Sequence, residues 1–153
     1  MRIKPKLILI GLTILMLSLL AGCKDPISSS NTIATAEIED ILSNITKDFN
    51  HLEIEAIRQY YDDDFLHDGD NVNMAMTDWG VRATDYTNLR FDNISISIDG
   101  ELATASFTMR LDRVGTVITE SFHEPEDGGE LSYFHSAYGE WLLWGNQEFG
   151  RSR

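Results

Sequence analysis

Residues 94–111 read Ile-Ser-Ile-Ser-Ile-Asp-Gly-Glu-Leu-Ala-Thr-Ala-Ser-Phe-Thr-Met-Arg-Leu, and this stretch decides the fold. Apolar and polar residues alternate on both sides of Asp99-Gly100, as they do in strands with one buried and one exposed face. Asp-Gly between two such runs is a strong signal for a tight hairpin turn. The stretch therefore predicts two antiparallel strands joined at Asp99-Gly100.

Two more turn signals follow this hairpin. Asp127-Gly128 and Tyr138-Gly139 separate three further strand-like runs, near residues 116–123, 131–137 and 141–147. Because both turns are short, we expect consecutive strands to pair with each other in an antiparallel meander. Under this register Glu120 lies opposite His135, which favours a cross-strand ion pair there over a metal ligand.

The final hairpin carries large apolar groups on both faces. A two-residue turn at Tyr138-Gly139 sets two opposite pairs, namely Tyr133 with Trp144 and Phe134 with Leu143. A sheet with one solvated face would alternate more cleanly. The second face is therefore expected either to line a pocket in part or to be covered by a partner subunit. Of these two alternatives we favour the partner subunit, in a homodimer.

The chain before residue 89 has helical periods instead. Apolar residues recur with the spacing of one helical face from about Thr35 to Phe49. A second helix is predicted through Leu52, Ala56, Ile57 and Tyr60, and a third through Met74, Trp79 and Val81 with caps among Asp70 to Asn73. Helices followed by strands predict an α+β fold, with the N-terminal helices packed on a curved antiparallel sheet.

The N-terminus resembles the signal of bacterial lipoproteins. Three basic residues precede an apolar run, Leu7 to Leu20, which ends in Leu20-Ala21-Gly22-Cys23. The resemblance implies cleavage between Gly22 and Cys23, lipidation of Cys23 and a membrane anchor through that lipid. The alternative is an uncleaved membrane helix, since the run is only slightly shorter than the roughly 17 to 25 residues of a span.

We accordingly expect a signal peptide at residues 1–22, a lipidated cysteine with a flexible tether at 23–33, and one domain at 34–150. The expected location is the bacterial cell envelope, outside the cytoplasm. In a Gram-negative host, Lys24 in place of an aspartate after the cysteine favours the outer membrane.

Composition excludes several kinds of function. Residues 23–153 carry nine basic and 25 acidic residues, a net charge of −16, which repels nucleic acid. Since Cys23 is the chain's one cysteine, the lipidated domain has no thiol for a disulfide, a zinc site or a nucleophile. The sequence also has no phosphate-binding or dinucleotide-binding glycine motif, so no cofactor is expected.

Two segments resemble nuclear transport factor 2-like domains, also called SnoaL-like or cystatin-like. Tyr60-Tyr61-Asp62-Asp63-Asp64-Phe65-Leu66-His67-Asp68-Gly69 is similar to the segment that closes the second helix in this family. Gly139-Glu140-Trp141-Leu142-Leu143-Trp144-Gly145-Asn146-Gln147 is similar to its last strand. The resemblance covers about Ala34 to Gln147 and implies a cone between helices and sheet, open at one end. The family includes enzymes, transport adaptors and exported domains, so the resemblance does not assign a reaction.

Candidate residues for chemistry are few. The aspartates between Asp62 and Asp70 do not match a calcium loop, because Leu66 and Ala75 stand at ligand positions, and no metal site is expected. His67 and Asp64 are the candidate acid–base residues. If residues 65–68 are extended, His67 shares a face with Phe65 and cannot use Asp68 as its partner. The candidate pocket residues are aromatic or histidine: Tyr61, Phe65, His67, Trp79, Phe107, Tyr133 and Trp144.

Two hypotheses remain open from the sequence. The first is a lipid-anchored module that binds a small apolar or aromatic ligand, or another protein, without catalysis. The alternative is a small isomerase, cyclase or hydrolase of SnoaL type that works in the cone.

Overall fold

The structure, a computed structural model, describes residues 26–148. The predicted signal peptide, its cleavage site and Cys23 lie outside the described residues. No helix within residues 26–148 has the length and apolar character required to cross a membrane. Ile33–Arg153 is one compact unit, and the buried apolar side chains of the described chain all lie between Ala34 and Leu143. A chain of residues 24–153 therefore keeps this whole core.

Helix α1 spans Pro26–Asn50. A flexible tether was predicted at residues 23–33, but residues 26–33 belong to this helix. Proline suits the first turn of a helix, since its fixed φ angle matches the helix and its missing N–H would have no partner there. The face that α1 buries has the predicted spacing and consists of Ala34, Ile38, Ile41, Leu42, Ile45 and Phe49.

The predicted second helix is a shorter 3-10 helix, Ile54–Tyr60. Leu52 was expected in its apolar face, but this residue has a left-handed backbone with φ of 61° and its side chain is 68% exposed. The turn at Leu52 separates α1 from the 3-10 helix. Helix α2, Val72–Asp85, confirms the third predicted helix, and the Asn71 side chain caps it by accepting from the N–H groups of Asn73 and Met74.

Within residues 26–148, seven strands accompany these helices. Strands β1 (Leu66–His67) and β2 (Asp70–Asn71) form a small antiparallel pair. The main sheet contains the other five: β3 (Tyr86–Asp99), β4 (Leu102–Arg113), β5 (Thr119–Glu124), β6 (Tyr133–Ala137) and β7 (Glu140–Leu143). All strand pairs of the main sheet are antiparallel. The α+β architecture, with helices on a curved antiparallel sheet, is confirmed.

The predicted meander, in which each strand pairs with the next one along the chain, is wrong. The strand order is β3-β4-β6-β7, and β5 pairs with β4 instead of β6. β5 takes the second half of β4, with Glu120 opposite Leu111, while β6 takes the first half, with His135 opposite Leu102. The predicted Glu120–His135 pair therefore does not form. Residues 125–132 are a loop rather than a two-residue turn, which carries the chain from one half of β4 to the other.

The two hairpins have nearly the predicted register. Asp99 pairs with Leu102, so the first turn is at Gly100-Glu101, one residue later than predicted. In the final hairpin Ala137 pairs with Glu140, which confirms the turn at Tyr138-Gly139. Phe134 pairs with Leu143, and the Trp144 N–H donates to the Tyr133 carbonyl, as the predicted pairs require.

The last described residues return beside β1. The Leu66 N–H donates to the Trp144 carbonyl, and the Gln147 N–H donates to the Leu66 carbonyl. Just before β1, the Asp62 N–H donates to the Leu143 carbonyl at the free edge of β7. These backbone bonds bring the segment 61–68 against residues 143–147, the two segments with the family resemblance.

Candidate functional site

Aromatic side chains fill much of the space between helices and sheet. Trp79 is fully buried and lies 5.6 Å from Phe49, measured between ring centroids. Tyr61 and Phe65 meet edge to face at 4.8 Å, and Phe107 is likewise buried. Tyr61, Phe65, Trp79 and Phe107 were all candidate pocket residues, and the structure places them in the hydrophobic core.

A hydrogen-bonded chain runs through this core. The Trp79 indole N–H donates to the Tyr61 hydroxyl over 2.9 Å, and this hydroxyl lies 3.1 Å from Glu130 Oε1. Arg82 lies 3.7 Å from Glu130 Oε2, with its guanidinium 4.5 Å above the Trp79 ring. Burial, and next the negative charge of Glu130, raise the pKa of Tyr61 well above its ordinary value. Tyr61 thus stays protonated, and its O–H donates a hydrogen bond to Glu130 Oε1.

A small pocket opens beside these hydrogen-bonded side chains, between the β1–β2 turn, the first half of α2 and the loop before β6. It has a volume of about 210 Å³ and is lined by Phe65, His67, Asp68, Asp70, Ala75, Asp78, Gly128 and Glu130. Ordinary small-molecule sites have volumes of roughly 300 to 1,000 Å³. Asp78 is exposed, so part of the lining lies at the protein surface.

Both ring nitrogens of His67 are occupied by the backbone. Nε2 lies 2.7 Å from the Gly128 carbonyl, and Nδ1 accepts from the Asn146 N–H over 3.3 Å. Because a carbonyl only accepts and an N–H only donates, Nε2 must carry the proton and Nδ1 must be bare. His67 also stacks on Tyr133, with ring centroids 6.0 Å apart. Neither nitrogen is left to take a proton from a substrate.

The prediction that His67 lies on the same side as Phe65 is correct, since both are buried and line the small pocket. Asp68 was predicted on the opposite face, but strand β1 ends at His67 and the left-handed backbone of Asp68, with φ of 51°, leaves this exposed residue in the lining of the same pocket. Asp68 accepts from the Asn146 side chain and is not a partner of His67. Asp64, the other candidate base, is exposed and does not line the pocket.

The partner of His135 is Asp62. His135 Nε2 lies 2.9 Å from Asp62 Oδ2, and the imidazole stacks on Trp144 with a centroid distance of 4.0 Å. No local pattern predicted this pair, since 73 positions separate the two residues. Glu130 and Arg82 were missed for the same reason, as no local pattern joins the loop before β6 to helix α2.

A larger groove lies beside the last hairpin. It has a volume of about 480 Å³, and its lining residues are Leu102, Ala103, Thr104, Tyr133, Phe134, Trp144, Gly145, Asn146, Gln147 and Glu148. Tyr133 and Trp144 are partly exposed here, so these two candidate pocket residues do face a cavity. The groove combines aromatic walls with a polar rim formed by residues 146–148.

Glu124 is a buried carboxyl near the small pocket. It is 9% exposed and accepts a hydrogen bond from the Gly129 N–H. Burial is the largest effect and raises its pKa from the ordinary 4.5; the Gly129 bond opposes this shift, and the charge of Glu130 adds to it. A raised pKa means that the folded state holds this proton more tightly than the unfolded chain.

Folding stability should therefore fall as the pH rises from the ordinary pKa of Glu124 through its raised value. Glu124→Gln removes this titration while keeping an oxygen acceptor for Gly129. We expect the unfolding free energy of the variant, relative to the native chain, to increase between about pH 4 and pH 7. Urea denaturation at several pH values measures this difference, and a difference that stays constant across that range would contradict the prediction.

Within residues 26–148 the His, Asp and Glu side chains form no cluster able to hold a metal ion.

No protein-family model matches this sequence, and no curated protein matches it either. Solved structures do match. A nuclear transport factor 2-like protein of unknown function from Pseudomonas putida superposes with a TM-score of 0.61 at 14% identity, over 74% of this chain and 84% of that one.

Two further structures have the same fold. A nuclear transport factor 2-like protein from Novosphingobium aromaticivorans, with a cystatin-like fold, gives a TM-score of 0.58 at 11% identity, over 81% of this chain and 88% of that one. A cystatin-like protein of unknown function from Nostoc punctiforme gives 0.56 at 9% identity, over 72% and 86%. The chain therefore has the nuclear transport factor 2-like fold, and identities this low speak only to fold.

Proposed function

We propose that this chain is a lipid-anchored protein of the bacterial cell envelope whose domain binds a small apolar or aromatic ligand without catalysis. The proposal that the domain does not catalyse a reaction rests on His67, whose two ring nitrogens are both occupied. A general base needs a free atom within hydrogen-bond reach of a substrate. One nitrogen of His67 is hydrogen-bonded to the Gly128 carbonyl and the other to the Asn146 N–H, so His67 acts as a structural residue.

The groove at Tyr133 and Trp144 is the proposed binding site. Its volume of about 480 Å³ lies in the range of small-molecule sites. The aromatic walls suit stacking against a flat or apolar molecule, and the side chains of Asn146 and Gln147 offer donors and acceptors at the rim. The net charge of −13 for the whole chain favours a neutral or cationic ligand over an anion.

Trp144→Ala should weaken ligand binding by at least about tenfold, which corresponds to roughly 1.4 kcal/mol. Removing the indole takes away a stacking surface and part of the apolar wall. The measurement is a fluorescence titration of residues 24–153 with 1-aminoanthracene, a flat apolar probe. Tyr138→Ala is the matched control, because Tyr138 is a fully exposed aromatic outside the groove. Equal probe affinity in both variants would exclude the groove as the site.

Support for the anchor comes from residues 20–23, which have the lipobox pattern Leu-Ala-Gly-Cys behind a basic and apolar leader. A single acyl chain holds a protein only reversibly, whereas two or more hold it firmly. A diacylglyceryl group on Cys23 would anchor the domain while leaving it outside the bilayer.

Cys23→Ser should abolish lipid attachment and leave the precursor uncleaved, because serine lacks the thiol that carries the lipid. The measurement is intact mass spectrometry of the full chain recovered from a bacterial host, together with partition between detergent and water. Normal processing and detergent partition of the variant would contradict the anchor. Lys24→Ala serves as the control and should be processed like the native chain.

An acid–base enzyme remains the second candidate because of Glu130. This carboxylate lines the small pocket and also contacts the buried Tyr61 hydroxyl. A pocket carboxylate paired with a tyrosine is a plausible arrangement for proton transfer. The structural role is favoured instead because both oxygens of this carboxylate already have partners, Oε1 the Tyr61 hydroxyl and Oε2 the Arg82 guanidinium.

A further inference from the structure

The second half of β3 is an unprotected sheet edge. Among residues 26–148, β3 pairs only with β4, so its other side is open. Bulges interrupt β3 between Thr87 and Arg90 and again between Asp92 and Ser95, where Asn88 and Asn93 have positive φ angles. Charges lie in the same part of the strand, at Arg90 and Asp92. Bulges and charges are the usual devices that keep an edge strand from pairing; residues 95–98 have neither, and Ile94 lies at the end of the second bulge.

The backbone groups of this edge point outward. The Ala105 N–H donates to the Ser132 carbonyl, on the side of β4 away from β3. Opposite residues of an antiparallel pair either bond to each other or both point away. Ile96 lies opposite Ala105, so its N–H and C=O face away from β4, and by alternation those of Ile98 do so as well. Beyond the hydrogen bonds of the β3–β4 ladder, no bond within residues 26–148 uses these groups.

The edge sequence is the same in both directions. Reading outward from Ile96, each side presents serine and then isoleucine, which gives Ile-Ser-Ile-Ser-Ile over residues 94–98. A twofold axis through Ile96 would set isoleucine opposite isoleucine and serine opposite serine in an antiparallel pair. Such self-complementarity is what a symmetric dimer interface requires. It identifies a second copy of this chain as the matching partner.

Charge supports the same partner at this place. The chain carries a net charge of −13, so two copies repel each other over most of their surfaces. Residues 93–98 are uncharged, which makes this edge one where two copies can approach. Ile94, Ile96 and Ile98 pack against the core but remain partly exposed, and a partner strand would cover them further.

We propose that residues 94–98 of two copies pair as antiparallel strands around a twofold axis at Ile96, which joins the two sheets into one. The two copies of Ile96 exchange both backbone hydrogen bonds in this register. Ser95 of each copy then lies opposite Ser97 of the other. This interface is distinct from the Trp144 groove, and the proposal does not depend on the ligand.

Disulfide trapping tests the register directly in residues 24–153, which contain no cysteine. Ser95→Cys and Ser97→Cys replace exposed serines. Directly opposite residues have close Cβ atoms, about 4.5–5.5 Å apart, whereas diagonal neighbours are about 7–8 Å apart and cannot form a disulfide without movement. A mixture of the two variants should therefore cross-link under mild oxidation, and Ser95→Cys alone should not. A mixture that stays uncross-linked while sedimentation shows a dimer would overturn the proposal.

Sedimentation of the same chain should show dimers that form as the concentration rises. Ser95→Glu with Ser97→Glu places like charges opposite each other and should raise the dimer dissociation constant at least tenfold. The charge-matched control is Thr119→Glu with Ser121→Glu, on exposed positions of β5, and it should change the constant by less than threefold. Equal effects of the two double variants, or a native chain that stays monomeric at 100 µM, would also overturn the proposal.

Discussion

Gly145→Ala is expected to lower the unfolding free energy by at least about 3 kcal/mol. A Cβ atom at this position would lie 2.2 Å from the Leu66 carbonyl oxygen, and the backbone has φ of +74°, which disfavours any side chain. To make room, residues 145–147 would have to move away from β1. That movement breaks the bonds from the Gln147 N–H to Leu66 and from the Asn146 N–H to His67.

Gly100→Ala is the matched control for the backbone angle. Gly100 has φ of +64°, but a Cβ there meets nothing within 4 Å. This variant should lose only the roughly 1–2 kcal/mol that a left-handed backbone costs. Urea denaturation of residues 24–153, followed by tryptophan fluorescence, compares the two. Equal losses would mean that the close approach of Gly145 to Leu66 does not constrain the fold.

Trp79→Ala should destabilise the domain by about 3–5 kcal/mol. Trp79 is fully buried, packs on Phe49 and donates its indole N–H to the Tyr61 hydroxyl. The variant leaves a large cavity, and it also removes the aromatic ring beneath the Arg82 guanidinium. The free energy of unfolding and the melting temperature should both fall.

Met74→Ala provides the comparison on the same helix. The Met74 side chain is 48% exposed, so its removal loses little buried area, and alanine is the better helix former. We expect a change within about 0.5 kcal/mol. If Trp79→Ala lowered the free energy of unfolding by less than about 2 kcal/mol, the interior between helices and sheet would be open. The buried aromatic residues would then line a pocket, as the sequence predicted.

Local patterns predicted the elements but not their partners. The alternation of residues 94–111 predicted the first hairpin, and only its turn moved by one residue, to Gly100-Glu101. The error in strand order arose after Asp127-Gly128, which is part of a loop rather than a hairpin turn. Nothing local distinguishes these two uses of Asp-Gly, since the choice depends on which half of β4 each later strand meets.

The candidate site could likewise be predicted only in part. The period of two correctly placed His67 on the face of Phe65, because strand geometry alone decides that. Composition identified aromatic residues but could not say which fill the interior and which face a cavity; Trp79 does the first and Trp144 the second. The contact between Asp62 and His135 needs the complete topology, because it joins the segment beyond the edge of β7 to β6.

The central claim is binding without turnover, and the most direct test is the identity of the small molecules that this domain retains. Residues 24–153 and the Glu130→Gln variant would be purified in parallel from the same bacterial host, and their bound molecules would be identified by mass spectrometry. We predict the same unaltered molecule on both proteins and its loss from Trp144→Ala. A molecule that accumulates on Glu130→Gln while the native chain carries its converted product would contradict this account.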